Sequence, residues 1–133
     1  MKRNVFTYGS LMFPEVWSLV VTGTYRRLDA RLDGHARYAI AGQSYPGMVI
    51  EAGSQVAGVL YLDVERADLD RLDHFEGDDY RRASVEVATG DDTVMAETYV
   101  YRLHDRLTST SWAPHAFPMQ QFIATYCRER LDP

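Results

Sequence analysis

The sequence predicts an α+β domain, a mixed and mainly antiparallel barrel-like sheet of about six strands with short flanking helices. Three observations predict it. Short runs rich in Val, Tyr, Thr and Phe recur along the chain and are separated by Gly, Asp or Pro, the punctuation of antiparallel strands. Helical patterning is confined to brief stretches near Pro14, Ala67 and the end of the chain. No internal repeat, low-complexity tract or Pro/Gly/Ser linker divides the 133 residues, so a single domain over 1–133 is expected.

The first strand covers residues 4–8 and ends at Gly9-Ser10. A short helix follows, running from Pro14-Glu15-Val16-Trp17 to about Val21. Proline suits a first helical turn, where its missing N–H costs nothing, and Glu15 sits beside the positive end of the helix. Gly23 is read as its stop. Residues 26–32 and 36–40 are extended and are separated by Asp33-Gly34, a common hairpin turn. Tyr45-Pro46-Gly47 punctuates the chain before a short strand at 48–51. Residues 56–62 are apolar on both alternations, as in a strand covered on both faces.

Residues 67–75 place Leu69, Leu72 and Phe75 at i, i+3 and i+6, with Asp68, Asp70, Arg71 and Asp73 between them. That is an amphipathic helix with one apolar stripe. Residues 80–88 alternate, with Val85 and Val87 on one face and Ser84 and Glu86 on the other. Thr89-Gly90-Asp91-Asp92 turns the chain, and 93–101 return as the partner strand. From Pro118 to Leu131, Phe122, Ile123 and Tyr126 recur at helical spacing and predict a packed terminal helix.

Composition narrows the function. Hydrophobic residues make up 46% and charged residues 25%, which excludes collagen-like and disordered chains. Fourteen Lys+Arg against nineteen Asp+Glu leave a net charge of −5, a poor footprint for nucleic acid or an anionic membrane. The single cysteine, Cys127, can close no internal disulfide and build no Cys-based zinc site. His35, His74, His104 and His115 form no short ligand pair, so no metal is expected. Apolar runs fall far short of the ~20 residues of a membrane helix, and the first residues lack a signal-peptide pattern. A soluble cytoplasmic protein is the expectation.

Two segments could carry chemistry. Tyr8-Gly9-Ser10-Leu11 lies between a strand end and a helix start, where a glycine turn can aim successive N–H groups into one concavity. Such a turn suits a carboxylate or a developing oxyanion. The second is the run from Leu72 to Tyr80, in which Glu76 ends the predicted helix and Gly77 stops it. The negative helix end, the acids Asp73, Asp78 and Asp79, and an apolar wall from Phe75 or Tyr80 all push the Glu76 pKa upward. Arg81 and Arg82 would oppose this if they turned inward. A glutamate raised toward neutrality is a general acid/base, whereas a solvated acidic loop is the reading without chemistry. Tyr45, Tyr80 and Arg81 are candidate pocket walls. Ser10 lacks the Gly-x-Ser-x-Gly setting of a nucleophile.

Together these segments resemble the γ-glutamylcyclotransferase-like superfamily. The likeness is to its small branch of γ-glutamylamine cyclotransferases and plant avirulence-induced-gene proteins. The resemblance runs through Val5-Phe6-Thr7-Tyr8-Gly9-Ser10-Leu11-Met12, Tyr45-Pro46-Gly47 and Val56-Ala57-Gly58-Val59-Leu60-Tyr61. Its strongest stretch is Leu69-Asp70-Arg71-Leu72-Asp73-His74-Phe75-Glu76-Gly77, followed by Tyr80-Arg81, Thr98-Tyr99-Val100-Tyr101 and Trp112. It implies a compact barrel with a pocket beside the first loop. It also implies release of 5-oxoproline from a small γ-glutamyl substrate, without metal or organic cofactor. By resemblance, Tyr8, Gly9, Ser10 and Leu11 hold the γ-glutamyl group, Glu76 is the catalytic acid/base, and residues 112–133 set the choice of substrate. The competing expectation is a non-catalytic module that holds a small carboxylate in the same pocket.

Overall fold

Where a strand alternates two apolar sets, both of its faces must be covered, and the sheet has to curl around one of them. The computed structural model describes residues 2–131 and shows that outcome. Its strands are β1 (Lys2–Thr7), β2 (Arg27–Ile40), β3 (Pro46–Glu65), β4 (Tyr80–Thr89), β5 (Asp92–Tyr101) and β6 (Leu107–Ser111). Helix α1 spans Pro14–Val20 and α2 spans Arg66–Glu76. The chain ends in a helical run made of α3 (Met119–Phe122), a π turn (Ile123–Cys127) and α4 (Arg128–Leu131). The strands hydrogen-bond in the order β3-β1-β5-β4-β2-β6, and a further β2–β3 pairing closes the first five into a ring. Every pairing is antiparallel except β1 with β5.

Neighbouring residues on one strand serve two separate cores. Phe6, Leu32, Leu60, Val87 and Ala96, one from each ring strand, pack together inside. Val5, Val59 and Tyr61 face outward and join Val16, Trp17, Leu69, Leu72 and Phe75 beneath the helices. Trp17 stacks flat on Tyr61 with ring centroids 3.6 Å apart. The double-sided burial read for residues 56–62 is present in β3, with Ala57 the exposed exception.

Several local readings are corrected. Asp33-Gly34 is not a hairpin turn, because β2 runs straight through it. Pairing passes from Asp33↔Gln55 to His35↔Ile50, so residues 51–54 of β3 form a bulge. Gly34 and Gly53 take positive φ (75° and 85°) on either side of it, a conformation that glycine adopts without penalty. The reversal comes later, near Gly42, and joins β2 and β3 into one long hairpin. Gly23 does not cap α1, which ends at Val20 with Val21 as its cap. Asp68, expected on the polar face of α2, is 2% exposed instead. Its carboxylate accepts from Thr22 N–H (2.9 Å), Gly23 N–H (2.9 Å), Tyr25 Oη (2.6 Å) and Arg71 Nη1 (2.8 Å), tying α1 to α2. Strand β6, rich in Thr and Ser, carries no apolar alternation and was not predicted. Among the described residues, no helix is long and apolar enough to cross a membrane.

Candidate active site

The loop after β1 is built to hold its carbonyls still. Residues Ser10–Met12 form one 3₁₀ turn, with Met12 N–H on Gly9 C=O (3.0 Å) and Phe13 N–H on Ser10 C=O (3.1 Å). This turn, unread in the sequence, separates the loop from the start of α1 at Pro14, so the loop supplies its own donors and the α1 dipole is displaced from them. Arg37 Nη1 donates to the Tyr8 carbonyl (2.6 Å), Tyr61 Oη to that of Leu11 (3.4 Å) and Arg27 Nη2 to that of Met12 (3.0 Å). The N–H groups of Gly9, Ser10 and Leu11, all buried residues, are left without an acceptor among the described residues. Buried N–H groups are rarely orphaned, so three in succession mark a place for an oxygen-bearing ligand. Gly9 has an ordinary φ of −129°. Glycine is needed there because a Cβ would lie 2.9 Å from Cδ of Pro46.

Glu76 arrives from the other side. The stripe Leu69, Leu72 and Phe75 seats α2 on the outer core, which leaves Glu76 at the helix end beside Phe75. Gly77, with φ 78° and its N–H on Asp73 C=O (3.1 Å), then turns the chain away. Tyr8, Gly9, Ser10, Leu11, Glu76 and Tyr80 all line one cavity, together with Tyr45, Tyr99, Phe122 and Tyr126. By accessible area Glu76 is only half-buried, because it faces this cavity. The surrounding protein nevertheless desolvates it heavily, and burial raises its pKa to about 8, with Arg130 opposing and Asp73 adding to the rise. The carboxyl is therefore largely protonated at neutral pH.

The tyrosines act as walls. Tyr8 Oη donates to Tyr99 C=O (2.5 Å), Tyr80 Oη to Pro46 C=O (2.7 Å) and Tyr126 Oη to Phe75 C=O (2.7 Å). Tyr99 Oη donates to Asp73 Oδ1 (2.7 Å). Burial, the leading cause in each, raises all four phenols above their usual range. Glu76 is thus the lining group whose proton equilibrium lies near neutrality. Arg81 is not a wall and lies in an outer groove with Val49, Ile50 and Tyr101. Arg82 is engaged by Asp73 (3.2 Å) and Glu97 (3.0 Å). The cation opposing the rise at Glu76 is instead Arg130, whose guanidinium lies over the Tyr126 ring, 4.7 Å from its centroid, and against Gly77. The i, i+4, i+8 spacing of Phe122, Tyr126 and Arg130 was the signal that could have placed these three on one helix face.

A ring-like sheet that sets a row of backbone donors and a protonatable carboxyl on one cavity makes a candidate small-molecule site. A family model described as gamma-glutamyl cyclotransferase, AIG2-like, matches residues 5–114, and the chain belongs to that family. Protein AIG2 C of Arabidopsis thaliana is 38% identical over 98% of this chain and 82% of its own length. Several further AIG2-like relatives are longer, and the chain spans 58% to 70% of them. A solution structure of an Arabidopsis thaliana protein superposes with a TM-score of 0.72 at 28% identity, covering 100% of this chain and 86% of that one. A structure titled gamma-glutamyl cyclotransferase shares the fold at a TM-score of 0.71 and 20% identity, covering 100% and 82%. Membership of this family supports a cyclotransferase-type enzyme acting on a small molecule.

Proposed function

We propose that the chain releases 5-oxoproline and a free amine from a γ-glutamyl amine or amide, with Glu76 as the general acid/base. One observation carries the reading: three orphaned N–H groups and a carboxyl titrating near neutrality share one cavity. The substrate's carboxylate or scissile carbonyl meets the N–H groups of Gly9, Ser10 and Leu11. Its α-ammonium, brought beside Glu76, favours the ionised carboxylate, so binding primes the base. Glu76 takes one ammonium proton, and the freed nitrogen attacks the γ-carbonyl carbon to close a five-membered ring. The bond to the leaving nitrogen breaks as Glu76 returns that proton, and Glu76 then takes the surplus proton from the ring nitrogen and passes it to the freed amine. Two of the three ammonium protons end on the departing amine, and one stays on the ring nitrogen. Because nucleophile and electrophile belong to one molecule, the protein's task is to fold the substrate and move protons. This scheme needs no metal or organic cofactor.

The cavity is narrow, about 20 Å³. Substrate entry therefore requires side chains lining the cavity to move. Purified protein incubated with γ-glutamyl amines and γ-glutamyl amino acids should yield 5-oxoproline, and Glu76→Gln should lower turnover by about 10²–10⁴-fold while keeping the fold. A loss of tenfold or less would remove Glu76 from its role, and ligand binding without product would point to a carboxylate-holding module.

A further inference from the structure

We infer that Arg37 is a positioning residue for the backbone donors of the loop, acting from outside the cavity on the peptide that joins Tyr8 to Gly9. The inference rests on the cyclotransferase reading above. Arg37 lies on β2, half-buried, and faces a polar groove that it shares with Tyr38, Glu51 and Trp112. Its Nη1 donates to the Tyr8 carbonyl at 2.6 Å and to the Ala57 carbonyl at 3.2 Å. Its guanidinium carbon stands 5.2 Å from the centroid of the Trp112 ring. Among the described residues, no carboxylate forms an ion pair with it. Glu51, the acid in the same groove, is held by Tyr38 (2.6 Å) and Ser54 (2.5 Å). Arg37 is thus a partly desolvated cation with two carbonyls and a π-face for company, and desolvation lowers its pKa.

The consequence follows from peptide geometry. A trans peptide is planar, so its C=O and N–H point in opposite directions. Drawing the Tyr8 carbonyl toward Arg37 sends the Gly9 N–H the other way, and Gly9 lines the cavity. A charged donor on the carbonyl also polarises the amide, strengthening its N–H as a donor, and adds positive potential behind the loop. Arg27 is a different kind of clamp. It holds Met12 C=O, and the N–H of that peptide, on Phe13, is already bonded to Ser10. Of the two arginines, Arg37 alone holds a peptide whose N–H is orphaned.

The test compares Arg37→Lys, Arg37→Gln and Arg37→Met in ¹⁵N-labelled protein, with 5-oxoproline as the ligand. In Arg37→Gln and Arg37→Met the ligand-free Gly9 amide proton should move upfield, 5-oxoproline should bind about tenfold more weakly, and turnover should fall in kcat more than in KM. Arg37→Lys, which keeps the charge, should recover binding to within threefold of the parent. A folded Arg37→Gln with the parent's Gly9 resonance and affinity overturns the inference. If 5-oxoproline fails to bind even the parent, the cyclotransferase reading is what fails, and the Gly9 resonance still decides the role of Arg37.

Discussion

Replacing Glu76 by Gln keeps the shape of the side chain and removes its titration. Burial lifts the Glu76 pKa from an ordinary 4.5 to about 8. The folded protein then holds this proton more tightly than the unfolded chain does. The Glu76 contribution to stability is therefore greatest below pH 4.5 and drains away as pH climbs toward 8. At about 1.4 kcal/mol per unit, the full shift disfavours the folded state by about 5 kcal/mol in base. Between pH 5 and pH 8 the loss is about 3.5 kcal/mol, and Glu76→Gln, which has no proton to give up, escapes it. With an unfolding entropy of about 2.1 cal/mol/K per residue over 133 residues, that difference amounts to about 12 °C in Tm. Calorimetry of both proteins at the two pH values measures it. The variant should gain on the parent as pH rises, and every other titrating group cancels in the comparison. A Tm gap that stays constant from pH 5 to pH 8 would show that Glu76 titrates like a solvated carboxylate.

The same proton should appear in the kinetics. If the base form of Glu76 is required, kcat/KM rises with pH through about 8. Arg130→Met, which removes the cation that favours ionisation, should move that limb to higher pH, and a limb that stays or moves down would refute the coupling. The Asp68 carboxylate should matter only to the fold. Its burial opposes ionisation, but hydrogen bonds from Tyr25, Thr22, Gly23 and Arg71 outweigh it and hold the pKa at about 2. Asp68→Asn should cost about 2–3 kcal/mol in denaturant melts at pH 7, because buried donors lose their acceptor. The deficit should shrink at pH 3, since stability from a depressed carboxylate fades as pH falls toward its folded pKa. An equal deficit at both values would count against this accounting.

Much of the site was legible because its two halves are local patterns. Residues 4–8 announce a strand, residues 56–62 one with two buried faces, and Gly9-Ser10 marks the end of the first. Leu69, Leu72 and Phe75 announce a helix seated on one stripe, and Gly77 marks its stop, so Glu76 had to stand at a helix end. What stayed hidden depends on partners remote in sequence. Asp33-Gly34 reads the same whether the chain reverses or bulges, and only the register against Gln55 and Ile50 distinguishes the two. Asp68 looks like any surface acid until the end of α1 arrives above it. Arg130 shares a helical face with Phe122 and Tyr126 by spacing, but nothing local puts that face beside Gly77.

The sequence by itself determined the periodic parts of most strands and of α1 and α2, their apolar faces, and that a glycine loop and a glutamate sit at element ends. The period of a strand or a helix is a property of its own residues, so no distant contact is needed to read it. Tertiary structure alone decided that these ends meet. Closing the ring brings Tyr8 to Tyr99, 91 positions away, and packing the C-terminal run on α2 brings Tyr126 to Phe75, 51 positions away. That enclosure strips water from Glu76 and lifts its pKa, and desolvation depends on everything packed around a group, wherever it lies in the chain.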